Sequence, residues 1–85
     1  MVVDQTQTID ANSRGGTDAQ CPQGGLRLEG SCTTADLNPI RDLTLEQAGF
    51  YQSDDLRSWS CKFKNNEAVP VTIKASVVCL MPPSQ

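Results

Sequence analysis

The chain has no histidine. That removes the commonest general base and the commonest zinc ligand together. It also lacks a Cys-x-x-Cys pair, so its cysteines do not have the spacing of a zinc site. No Gly-x-Ser-x-Gly elbow, phosphate loop or His-Glu-x-x-His motif occurs, and nothing marks an enzyme. Asn-x-Ser/Thr acceptors for glycosylation are missing too. No apolar run approaches the ~18 residues of a membrane span. The opening VVDQTQTIDANSRGG has neither the basic start nor the apolar core of a signal peptide. Export would therefore rest on a signal already removed or on a route not displayed here. The formal net charge is −3, with both signs interspersed, against the basic patch that nucleic acid or an anionic membrane selects.

What the chain does have is four cysteines in 85 residues. A single domain of this size buries a modest core, and two disulfides are the usual remedy. The even count implies an oxidising setting: extracellular space, cell surface or periplasm. Cys32, Cys61 and Cys79 fall in phase with period-2 apolar patterns. GLRLEGSC alternates with Leu26, Leu28, Gly30 and Cys32 on one face. RSWSCKFK places Trp59, Cys61 and Phe63 together. PVTIKASVVCL places Val71, Ile73, Ala75, Val77 and Cys79 together, with Pro70 at the strand start where proline is tolerated. Val78 and Leu80 break that last pattern. Either the far face is covered there, or those side chains meet a partner.

These patterns predict an all-β domain, a small antiparallel sheet of about four strands stapled by two disulfides. The stapled domain spans 21–80, and 81–85 is a tail. Pro22–Gly25 and Gln52–Asp55 read as turns, Thr33–Asp42 as a loop and Leu43–Leu45 as extended. The last two strands read as a hairpin closed through Asn65–Val69. Cover for the apolar face is expected from Asp36–Phe50, with the N-terminal segment as a further source. Residues 1–20 are polar and stand outside the cysteine frame, with NSRGGT a turn or flexible stretch. They read as a flexible leader or as an extra strand that pairs with a sheet edge, the chain's own or a neighbour's, with Val2, Val3, Thr6, Thr8 and Ile9 as partner-binding positions. As an assembly strand, the segment orders only in an assembled form.

Carboxylates at Asp36, Asp42, Glu46, Asp54 and Asp55 read as solvated loop charges. They lack the D-x-D-x-D-G arrangement of a calcium loop, and no cofactor or metal is expected. Of four aromatics, Trp59 and Phe63 read as core. Phe50 and Tyr51, beside Gln52 and Asp54, remain as an exposed patch for a partner or a sugar.

Four cysteines allow three pairings. In a hairpin turning near Asn66, Cys61 lies opposite about residue 71. The remaining offset to Cys79, at ~3.3 Å per residue, exceeds the ~7 Å Cα limit for a disulfide. This leaves Cys21–Cys79 with Cys32–Cys61, or Cys21–Cys61 with Cys32–Cys79.

From Cys21 to Cys79 the chain resembles a group of small secreted bacterial β-domains. Their shape is CP-x-G, then G-x-C, then W-x-C-x-x-x-N, then a closing strand ending in Cys. Here these are CPQG at 21–24, GSC at 30–32, WSCKFKN at 59–65 and VVC at 77–79. The acidic insert Thr33–Asp55 is longer than the pattern has. The resemblance implies nested disulfides, Cys21–Cys79 and Cys32–Cys61, and a module of a surface or secreted protein. Four-stranded disulfide-bearing sheets are also similar to the globular heads of type IV pilins, which would need another chain to supply the helix. The expected function is a non-enzymatic structural or assembly subunit of a bacterial surface appendage. Its partner would be a helical pilin-type chain or like subunits. The alternative is a receptor- or glycan-binding module of an adhesin or tail fibre.

Overall fold

The computed structural model describes residues 1–35, 42–50 and 57–82. Six strands make two antiparallel sheets. They are β1 (Val2–Ile9), β2 (Arg14–Gln20), β3 (Leu26–Thr34), β4 (Leu43–Phe50), β5 (Ser58–Asn65) and β6 (Val71–Leu80). The first sheet has the order β1-β6-β3 and the second β2-β5-β4. The sheets face each other across a core of Ile9, Ala19, Phe63, Ile73, Ala75, Val77 and the cysteines.

The all-β class, the antiparallel pairing and the two disulfides are as expected; the single four-stranded sheet is not. The cover for the β6 face is a second sheet, to which the Asp36–Phe50 segment contributes β4 and the N-terminal segment β2, with β5 between them. β5 and β6 do not form a hairpin. β5 pairs with β2 and β4, and β6 with β1 and β3, so the 66–70 connection crosses between sheets.

Asn65 explains the crossing. Its side chain is fully buried. Its amide nitrogen donates towards the carbonyls of Ile9 (3.2 Å), Asp10 (3.2 Å) and Val69 (2.9 Å). Its Oδ1 accepts from the Glu67 backbone at 2.9 Å. One side chain thus satisfies the buried backbone of two crossings, 9–13 and 65–70, where no ladder can.

Residues 1–20 are not a leader outside the frame. They supply two strands, one to each sheet, joined by a turn in which Asn12 adopts φ 56°. β1 pairs with β6 without a register shift from Val2↔Val78 to Ile9↔Val71. β2, which begins within the supposed turn NSRGGT, places Ala19 in the core.

The alternation read through 26–32 also fails, for a definite reason. β3 carries a bulge between Arg27 and Glu29, where the register to β6 shifts by one residue. Gly30 and Cys32 pair with the inward-facing Val77 and Ala75, and Arg27 pairs with Cys79. Leu26 and Leu28 are exposed, Leu28 at 54 %.

Gly30 has a steric reason. A Cβ there would sit 2.1 Å from two ring atoms of Trp59, so the indole lies directly on its backbone. Trp59 is half-buried against the core. Gly24 has a conformational one: φ is +88° at the third position of the Pro22–Gly25 turn, closed by Gly25 N–H donating to Pro22 O at 2.9 Å.

Candidate functional site

The disulfides are Cys21–Cys79 and Cys32–Cys61, each with a Cα separation of 5.8 Å. This is the nested pairing that the resemblance implied. The hairpin used to set Cys61 apart from Cys79 does not exist, so that exclusion had no structural basis. Both bonds cross between sheets: Cys21 follows β2 and meets β6, and Cys32 of β3 meets Cys61 of β5. They point to an oxidising, extracytoplasmic setting.

The expected partner-binding residues separate. Ile9 is 2 % exposed and belongs to the core, because β1 crosses to β2 directly after it. Val3 is half-buried and packs on the core. Val2, Thr6 and Thr8 are exposed and share the outer face of the first sheet. Phe50, at the end of β4, is 51 % exposed. Tyr51, Gln52 and Asp54 lie outside the described residues, as do Asp36 and Asp55.

Phe50 is less available than its exposure suggests. Its ring meets Trp59 edge-on at 5.3 Å between centroids. The Arg27 guanidinium sits 3.8 Å above its face, placed there by the β3 bulge. Trp59 Nε1 is buried without a hydrogen-bond partner among the described residues.

The outer face of the first sheet is graded. At one end Val2 lies beside Val78 on β6, and Leu26 beside Leu80, with Leu28 at the bulge. Val2, Leu26, Leu28 and Leu80 are all exposed. Further along, Asp4 Oδ1 accepts from Ser76 Oγ at 2.7 Å, and the Thr8 and Thr72 hydroxyls meet at 2.8 Å. The Val78 and Leu80 break in the sequence pattern belongs to this apolar corner. Leu26 and Leu28 joined it unannounced, because a bulge leaves the alternation on either side of it intact.

The outer face of the second sheet is polar. A shallow depression of about 290 Å³ lies there between Gly16, Thr17, Asp18, Ser60, Cys61 and Lys62. Nearby, Arg14 Nε donates to both Glu46 carboxylate oxygens at 3.0–3.1 Å. That exposed pair adds little stability.

No protein family, curated protein or solved structure matches this chain.

Proposed function

We propose that this chain is a non-enzymatic structural or assembly subunit of a bacterial surface appendage. It would act as a globular head or filament module joined to a helical pilin-type chain or to like subunits. The bacterial assignment rests on the resemblance of 21–79. The observation that carries the assembly reading is the apolar corner of Val2, Leu26, Leu28, Val78 and Leu80. A small domain with a limited core gains nothing by displaying leucines together, and such patches mark interaction sites. The corner lies on a sheet joined from behind to the second sheet by both disulfides, which suits a part that bears load.

The test is made in the native host. Surface filaments sheared from the cells should contain the chain. A Leu28→Lys/Leu80→Lys variant, at two exposed positions of the corner, should fold, with stability within about 1 kcal/mol as for other surface changes. It should nevertheless be shed as free protein. Wild type and variant found alike in the medium, and absent from the sheared fraction, would contradict the proposal.

The glycan-binding alternative draws on Phe50. Arg27 already covers one face of that ring and Trp59 meets its edge, leaving a small platform for a sugar. The assembly reading is therefore preferred.

A further inference from the structure

Among the described residues, four strands pair on one side alone: β1 and β3 in the first sheet, β2 and β4 in the second. Exposed edges invite pairing, and proteins blunt them with bulges, charges or glycine-weakened strands. β3 is interrupted by the bulge after Arg27. β4 is interrupted between Leu45 and Gln47. β2 carries two consecutive glycines, Gly15 and Gly16, with Arg14 and Asp18. β1 carries neither a bulge nor a glycine. Its eight residues are regular, free of proline and glycine, and contain one charge, Asp4.

The hydrogen-bond phase of β1 is fixed by its start. Cys79 N–H donates to Met1 O at 2.7 Å, and the Met1 amine donates to Cys79 O at 3.3 Å. Bonded pairs in an antiparallel ladder recur every second residue. Val3, Gln5, Gln7 and Ile9 therefore bond to β6. Val2, Asp4, Thr6 and Thr8 turn their N–H and C=O groups to the open side.

We infer that β1 pairs with β1 of a second copy, antiparallel, about a two-fold axis at Gln5. This rests on the assembly reading and deepens it by naming a partner and a register. Three constraints select that register. The open groups belong to even-numbered residues, so even must bond to even. Pairing 2 with 8 and 4 with 6 uses all four on each strand. A shift of the axis to residue 4 would set Asp4 against Asp4, which like charges oppose. An axis at 6 or beyond shortens the overlap. In the chosen register Asp4 faces Thr6, and the outer faces of the two sheets run continuously. β2 of the second sheet packs against both β1 and β6.

Gln5 then faces Gln5 of the second copy as a non-bonded pair, with Cα atoms about 4.5 Å apart, within disulfide range. Gln7 lies about 13 Å from Gln7 of the second copy, four residues of strand rise. Both are exposed.

The experiment uses the whole oxidised chain at rising concentration, with sedimentation velocity and peptide mapping. The wild type should dimerise. Thr6→Pro should abolish dimers, at least a tenfold rise in dissociation constant, while the monomer keeps its melting temperature, because only an open-side N–H is removed. Gln5→Pro should instead damage the monomer, since that N–H bonds to β6. Gln5→Cys should form a disulfide between two copies on mild oxidation, and Gln7→Cys should not. Dimers that survive Thr6→Pro, or that link through Gln7 and not Gln5, overturn the inference and leave the appendage reading to the apolar corner. A wild type that stays monomeric near millimolar concentration overturns self-pairing outright. A strand of another protein is then the remaining occupant, and the shear test above still decides the appendage reading.

Discussion

Replacing Asn65 with alanine should lower the unfolding free energy by about 3–5 kcal/mol, more than most core truncations in so small a domain. The side chain bonds to three carbonyls and one N–H from two chain crossings. Its loss leaves those groups buried and unpaired at roughly 1–3 kcal/mol each, with partial relief by entering water. Against a total on the order of 4–13 kcal/mol for 85 residues, the variant should be marginal. Asn65→Asp should be at least as damaging. A carboxylate has no N–H to offer and would face three carbonyl oxygens. Urea unfolding of the oxidised protein checks both. An Asn65→Ala midpoint equal to wild type would show that the crossings are held by something else.

Reduction of both disulfides should unfold the chain at 25 °C. By the chain-entropy relation, a closure of 58 residues contributes roughly 4 kcal/mol and one of 29 residues roughly 3.5 kcal/mol. The two loops are nested, so the combined effect falls below the sum. It still consumes much of the stability expected at this size. Both bonds tie one sheet to the other, and their loss also weakens the seam between the two sheets. Circular dichroism and fluorescence of the single tryptophan, Trp59, follow the change. Retained native spectra in the reduced protein would contradict this account.

The residues on which the sequence resemblance rests prove architectural. Gly24 takes positive φ, Gly30 lies under the Trp59 ring, Asn65 holds the crossings, and the cysteines join the sheets. This is why the pattern led to the disulfides and says little of a partner. Period-2 alternation was legible through 59–63 and 71–79, and the residues read as inward do pack on the core, although Ser58 and Ser60, read as outward, are buried as well. Alternation assigns a face, however, and not a neighbour. A five-residue connection serves a hairpin or a crossing equally, and the buried amide that decides between them acts on residues far off in sequence. β1 was legible as a β-prone segment that could join a sheet edge, but β2 was read as a turn or flexible stretch, because the edges of a small sandwich need few apolar residues. β1 gives the core Ile9 and part of Val3, while Gln5 and Gln7 stay at the lip. The edge position of β1 is a fact of pairing, invisible until β6 is seen beside it as its one partner among the described residues.

Amide hydrogen exchange along β1 tests the central claim most directly, that this segment is a true strand with one open side. In dilute oxidised protein, Val3, Gln5, Gln7 and Ile9 should be protected while Asp4, Thr6 and Thr8 exchange freely. As concentration rises, protection should spread to Asp4, Thr6 and Thr8. Uniformly rapid exchange from Val2 to Ile9 would contradict the claim and return these residues to a flexible leader.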